Sequence, residues 1–206
     1  MGLSVSVITG TFGDDAWQLL ARERAGASVP DEVPWIHAHA DTIAAARNAA
    51  LAQVATPYVI GLDADDELLG VEYIEAMARG TADVRVPMML YRRGRQARLW
   101  QPRVAGHDHD CTVDCLEAGN WVPIGACART DLLREVGFHD FGWSEDWATW
   151  ALAARAGASF ELIRDAVYVA HVDVSGRNRG QDRAAREQAH WEIHRAVWPE
   201  RYAEAT

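Results

Sequence analysis

The chain has little cysteine: Cys111, Cys115 and Cys127 are the only three among 206 residues. An odd set of thiols does not suggest a secreted disulfide framework, and a chain this long buries a full core without such staples. Nothing resembles a leader peptide, since the opening Met1-Gly2-Leu3-Ser4-Val5 run has neither a basic head nor a small-residue cleavage site. No apolar run approaches the roughly 20 residues that a membrane span needs. Positive charge is also in deficit. Lys plus Arg number 20 against 30 Asp plus Glu, and the resulting −10 opposes unspecific adhesion to nucleic acid or to an anionic membrane. There is no internal repeat, low-complexity linker or second-domain boundary, so residues 1–206 are expected to form one domain in the cytoplasm.

What stands out against these absences is the run from Thr56 to Glu67, a strand-like apolar stretch that stops abruptly at Asp63-Ala64-Asp65-Asp66. Carboxylates packed this closely repel one another, and water or a shared hard cation relieves the repulsion. The same residues also suit an acidic turn capping the next helix.

Around this run, strands and helices alternate. Residues 3–9 read as a buried strand broken by Gly10-Thr11-Phe12-Gly13, and 14–24 as a helix. Residues 33–38 form a second candidate strand, Asp41 is placed to cap a helix over 43–54, and 57–63 is the strand that ends in the aspartates. Such alternation implies an α/β layer with a mostly parallel central sheet flanked by helices. Ligands of these sheets bind beyond the carboxyl ends of the strands, where Gly10-Thr11-Phe12 and Asp63-Ala64-Asp65 both fall. Further on, 83–91 and 95–100 suggest a small hairpin around Arg92-Arg93-Gly94. Strands follow at 121–127, 159–163 and 166–171, and helices at 131–136, 145–156 and 181–198, with a loop at 175–180.

Ala46-Arg47-Asn48, then Asp63-Ala64-Asp65-Asp66 after a strand, then Val136-Gly137-Phe138-His139-Asp140, then Glu145-Asp146-Trp147 and a late His171 form an ordered set. In this order and spacing the set resembles the family-2 glycosyltransferases of the GT-A (Rossmann-like) fold, over nearly the whole chain. The resemblance implies a nucleotide-sugar-binding half at 1–80 and an acceptor-binding, catalytic half at 81–206. It implies inverting transfer of one sugar from a nucleoside-diphosphate-sugar, with UDP favoured by family habit, to an acceptor hydroxyl with Mn²⁺ or Mg²⁺ present. By the same resemblance Asp65 binds the metal and Asp63 contacts the ribose or a metal-bound water. His171 then completes the metal shell, Asp146 takes the acceptor's proton, and Glu145 orients the acceptor or the helix. Thr9, Gly10, Thr11 and Phe12 would hold the nucleotide base, with Arg47, Asn48 and Ala64 nearby and Arg177 and Arg179 closing over the diphosphate. Compact enzymes of this kind occur in bacteria and their phages.

Each of these residues also has a plainer reading. Glu145 and Asp146 suit the first turn of a helix capped by Ser144, Asp66 suits a helix N-terminus, and Arg47 suits a structural ion pair. Arg177 and Arg179 suit a solvated loop, and His171 a hydrogen-bonded, half-buried histidine. Indole faces stack well on sugars, so Trp100, Trp121, Trp143 and Trp147 are candidate acceptor contacts, although most tryptophans sit in cores. His107, His109, Cys111 and Cys115 are residue types that suit zinc, in a spacing that matches no zinc motif and fits a polar acceptor loop equally well.

The chain departs from the family between the first helix and Ala46-Arg47-Asn48. A strand ending in Asp-Asp-Gly-Ser-type sequence is expected there, and only residues 33–41 stand in its place, with Asp41 a weak substitute. Two other classes fit less well. A sugar-phosphate nucleotidylyltransferase would carry a Gly-rich basic signature after the first strand, where Gly10-Thr11-Phe12-Gly13-Asp14-Asp15 has none. A noncatalytic carbohydrate-binding protein would have no use for Asp65, Asp146 and His171 together. The acceptor stays open among saccharide, protein and modified DNA base, with Arg92, Arg93, Arg95, Arg98 and Arg103 clustered on the acceptor side.

Overall fold

A computed structural model describes residues 4–142, 144–172 and 183–202. Its centre is one curled sheet. Strand β1 (Val5–Phe12) leads to helix α1 (Asp15–Leu20), capped by the Asp14 side chain and continued as a π-helical turn over Ala21–Gly26. Strand β2 (Trp35–Ala40) then runs directly into α2 (Ile43–Ala52), so one strand stands between the first two helices. The cap of α2 is Thr42, whose hydroxyl accepts from the Ala45 N–H, and not Asp41 as expected. Thr42 has the extended backbone that a cap needs, one residue closer to the first helical turn.

Strand β3 (Tyr58–Gly61) carries the acidic run, followed by the two-residue β4 (Glu67–Leu68) and α3 (Gly70–Ala78). The hairpin forms as expected from β5 (Val84–Arg93) and β6 (Gln96–Trp100), turning at Gly94 with φ of 54°. After an irregular stretch and a 3₁₀ turn at Val113–Glu117 come β7 (Cys127–Arg129), α4 (Thr130–Val136), α5 (Glu145–Arg155), β8 (Phe160–His171), α6 (Arg183–Val197) and α7 (Pro199–Tyr202).

The strand order is β2-β1-β3-β7-β5-β8-β4, with β6 paired to β5. The α/β layer is as expected, but the sheet is mixed rather than mostly parallel. β1 pairs in parallel with β2 and β3, and β5 with β8, while β7 inserts antiparallel between β3 and β5. Two strand expectations change. Residues 121–126 are loop, because Pro123 accepts the Ala126 N–H in a turn and Gly125 lies against Tyr168, where a Cβ would come within 2.1 Å of the ring. The stretches 159–163 and 166–171 are one strand. The register with β5 jumps from Pro87↔Ile163 to Met88↔Val167, so residues 164–166 form a bulge beside a proline that has no N–H to give to the ladder.

The core spans both faces of this sheet, with Trp150, Tyr73, Tyr168 and Ile8 among its fully buried side chains. No described helix is long and apolar enough to cross a membrane.

Candidate active site

Helix α2 sits unusually close to β1. A Cβ on Gly10 would stand 2.9 Å from Arg47 Cγ and 3.2 Å from Ala46 Cβ, so glycine is what lets the helix approach. That approach carries the Arg47 guanidinium into the molecule, where only 7% of the side chain remains exposed. Arg47 donates to Asp63 Oδ1 at the end of β3 and to Glu145 Oε1 in the first turn of α5, both at 2.6 Å. The Phe138 ring lies 5.6 Å from the guanidinium carbon. Burial alone would lower this guanidinium, but Asp63, Glu145 and Asp146 around it hold it charged. Charges taken out of water this far are tolerated only when paired, so Arg47 locks the end of β3 to the start of α5.

Asn48, the next residue, clamps the same region from α2. Its amide nitrogen donates to the Phe138 carbonyl at 2.7 Å and its oxygen accepts from the Phe138 N–H at 2.9 Å. Both amide ends are thus spent on backbone. Asn48 thereby positions the loop before α5.

That loop enters α5 through Ser144, a left-handed non-glycine residue at φ 52° and ψ 40° whose side chain makes no capping bond. The expected Ser144 cap is therefore absent, because a left-handed residue does not have the extended backbone of an N-cap. Asp146 takes the adjacent N–H instead: Oδ1 accepts from Trp147 N at 2.8 Å. Its other oxygen accepts from Asn120 Nδ2 at 2.9 Å, and Asn120 Oδ1 in turn accepts from Val122 N–H. Burial and the neighbouring Glu145 push the Asp146 carboxyl up to about 7, with Arg47 pulling the other way. A carboxylate poised near neutrality inside a cleft has the tuning of a general base.

The three aspartates of the acidic run have separate environments. Asp63 is about one-third exposed and faces Arg47. Asp65 is pushed up to about 6 by burial and by the Asp63 charge, while its backbone carbonyl accepts from Arg24 at 2.9 Å. Asp66, expected as a helix N-terminal charge, is instead buried and followed by the short β4. Its Oδ1 accepts from the His171 N–H at 2.8 Å, and the Tyr168 hydroxyl bonds it as well. Burial, Asp63 and Asp65 all push its carboxyl well up. The same Tyr168 hydroxyl accepts from Asp63 N–H at 3.1 Å, so β8 holds the whole turn in place.

His171 ends β8 with its side chain mostly buried and Nε2 3.1 Å from Glu67 Oε1, without hydrogen-bond alignment. Burial pushes its imidazole down. Among the described residues, the group of three such side chains close enough to share a metal ion is not Asp63, Asp65 and His171 but His107, Cys111 and Cys115, whose ligand atoms lie within 4.8 Å of one another.

A cavity of about 290 Å³ opens between these elements. Asp63 and Asp146 both face it, across a floor of Tyr168 and walls that include Trp100, Asn120 and Trp121. Of the residues expected here, Trp121 lines the cavity with its indole N–H unpartnered. Trp147 is core: it is 3% exposed and donates its indole N–H to the Leu116 carbonyl at 2.7 Å, so it presents no face to the cavity. Trp143, Arg177 and Arg179 lie outside the described residues.

At the far end of β1, Thr9 accepts from the Trp35 indole N–H at 3.0 Å, and Thr11 Oγ1 lies 2.8 Å from His37 Nε2 and 3.0 Å from His39 Nδ1. Their hydroxyls are therefore turned to β2 rather than offered to a ligand. Phe12 is half-buried at the strand end, and Ala64 is buried. Sequence reasoning missed His37, His39 and Asn120. The alternation of Trp35, His37 and His39 on one face of a strand was the available signal for the first two, while a lone Asn120 in a loop gave none.

No family model matches the chain, and no curated protein matches it. Solved structures do. S. aureus TarS 1-349 is 15% identical with a TM-score of 0.59, over 95% of this chain and 64% of that one. The same protein in complex with UDP-GlcNAc gives 16% and 0.64, over 95% of this chain and 65% of that one. In complex with UDP it gives 17% and 0.54, over 96% and 73%. This chain thus spans somewhat less than two thirds of the length of TarS 1-349. At this identity the likeness is one of architecture, and the fold of this chain is the GT-A glycosyltransferase fold.

Proposed function

We propose that the protein is a nucleotide-sugar glycosyltransferase that moves one sugar from a nucleoside-diphosphate donor, UDP-linked by analogy with the TarS complexes, to an acceptor hydroxyl with inversion. The observation that carries the proposal is that Asp63 and Asp146 face one cavity in a GT-A fold, with Arg47 bridging Asp63 to Glu145, the residue before Asp146.

In this reading Asp146 is the base. Its carboxylate, oriented by Asn120 and by the Trp147 N–H, accepts the acceptor's proton as the hydroxyl attacks the anomeric carbon. Attack from the side opposite the leaving diphosphate inverts that carbon and needs no covalent sugar intermediate. Glu145 does not face the cavity. It acts through Arg47, fixing the first turn of α5 so that Asp146 keeps its place. Trp100, with the Arg98 and Arg103 guanidinium carbons each 5.3 Å from its ring, and the largely buried Trp121 form part of the wall against which an acceptor would rest.

The donor set at Asp63 and Asp65 suits Mg²⁺ or Mn²⁺. Hard oxygen ligands are what these ions take; burial first and the neighbouring aspartate charges second push Asp65 and Asp66 up, and a divalent cation would relieve the second of these. Asp63 and Asp65 would hold the ion, the donor's phosphates filling the remaining positions. When bound, it would neutralise the departing diphosphate. His171 is not gathered with these aspartates and is left out of the set.

Melting temperature with UDP, GDP, CDP, ADP and dTDP and their sugars, with and without Mn²⁺, tests the donor side, since a ligand that binds only the native state raises it by mass action. The expected result is a Mn²⁺-dependent rise with one diphosphate. A panel without any rise would overturn the reading.

A further inference from the structure

The irregular segment between β6 and the 3₁₀ turn, residues 101–112, has no helix or strand of its own and still supplies part of the cavity wall through Pro102 and Arg103. Loops of this length without internal structure need an anchor. The base is fixed by Arg164 on β8, which donates to Gln101 Oε1 at 2.6 Å and to Asp110 Oδ2 at 2.8 Å. The tip is drawn together differently. His107 Nδ1 lies 3.7 Å from Cys111 Sγ, and His109 Nε2 lies 3.7 Å from Cys115 Sγ. Ligand atoms of His107, Cys111 and Cys115 all fall within 4.8 Å of one another.

We propose that His107, His109, Cys111 and Cys115 form a tetrahedral structural zinc site that clips this loop beside the cavity. With Zn–S near 2.3 Å and Zn–N of 2.0–2.1 Å, a tetrahedral angle sets sulfur and nitrogen ligands about 3.6 Å apart, close to both separations found here. Two thiolates and two imidazoles are a structural donor set for zinc and a poor one for the oxygen-seeking Mg²⁺ or Mn²⁺. The surroundings complete the case. Val104 N–H donates to Cys111 Sγ at 3.3 Å, the bond that would steady a coordinating sulfur. The Asp108 carboxylate lies 3.5 Å from His109 Nδ1, which leaves Nε2 as the nitrogen that faces Cys115. Cys115 is buried in the middle of the 3₁₀ turn, and the other three groups come from the loop before it.

This site stands apart from the carboxylates of the proposed catalytic centre, and its test does not depend on transfer activity. Tag-free, full-length, reduced protein, with three free thiols verified by titration, is stripped of metal and titrated with Co²⁺. The expected result is one equivalent of cobalt giving the visible bands of a tetrahedral ion and a near-ultraviolet thiolate-to-cobalt band, bleached stoichiometrically by Zn²⁺. The thiolate band should disappear in Cys111→Ser and in Cys115→Ser and remain in Cys127→Ala, whose thiol is buried elsewhere in the core. Absence of that band in the reduced wild-type protein would overturn the site without any variant having to fold. Its survival in both serine variants would do the same.

Discussion

On the β1–β3 side of the cavity, inward-facing polar groups have a partner on a neighbouring regular element or its flanking loop: Thr9 with Trp35, Thr11 with His37 and His39, Arg47 with Asp63 and Glu145, Asn48 with the backbone of Phe138. On the opposite side, the β5–β6 hairpin leaves Leu99 56% exposed and Tyr91 40% exposed, and the wall continues through loop rather than sheet. The first wall is fixed by paired groups on strands and helices, which suits a ligand whose shape is constant. The second hangs on clips between loop residues, and loops carried by a rigid scaffold are where specificity changes most readily. In the proposed reading the donor would sit towards the first wall and the acceptor towards the second.

Breaking the chemistry that joins the two walls should have the largest effect. Asp146→Asn removes the base at nearly constant shape, giving up one of the two hydrogen bonds that the carboxylate accepts from Asn120 and Trp147, and transfer should fall by about 10²–10⁴-fold with diphosphate affinity changed only a few fold, measured by steady-state kinetics beside calorimetry. Arg47→Met should cost about 3–5 kcal/mol in urea unfolding, because it strands Asp63 and Glu145 without their shared cation. A smaller loss, about 1–3 kcal/mol, is expected for Asn48→Ala, which leaves the Phe138 N–H and carbonyl without partners. At the far end of the scale, Leu99→Ser on the exposed hairpin should shift stability by less than about 0.5 kcal/mol. A large loss at Leu99 together with none at Asn48 would reverse the contrast between the walls.

The pH dependence follows from Asp146. Its folded carboxyl titrates at about 7, above the ordinary 3.8, so the folded state holds the proton more tightly than the unfolded chain does. The stability this gives is complete below 3.8 and is lost as pH rises towards about 7. Asp146→Asn should therefore gain stability relative to wild type across that window. The transfer rate moves in the opposite sense, rising with pH through about 7 as the base ionises and then levelling off.

Much of this arrangement was legible in the sequence because it rests on local patterns. Apolar runs with helix breaks located β1, β3 and the hairpin, and Glu145-Asp146 before an apolar-faced stretch located the start of α5. What could not be read was tertiary capture. Asp66 has the look of a helix-terminal acid until Tyr168 and the His171 N–H, more than a hundred residues away, fold over it. Trp147 has the look of a sugar platform until the Leu116 carbonyl takes its indole N–H. Gly10, expected beside the nucleotide base, also gives room for Arg47, which no sequence pattern announced. The mixed sheet was hidden because β7 is only three residues long and follows a turn that mimics a strand in composition.

The central claim is that Asp63 and Asp146 serve one nucleotide-sugar reaction. The most direct measurement is the hydrolysis of UDP-sugars to UDP and free sugar in the presence of Mn²⁺, water standing in for the acceptor hydroxyl, compared between the wild-type protein and Asp146→Asn, with UDP binding measured in both. The account predicts UDP release by the wild type and its loss in the variant, with binding retained. Equal release by both proteins, or pyrophosphate as the product, would contradict it.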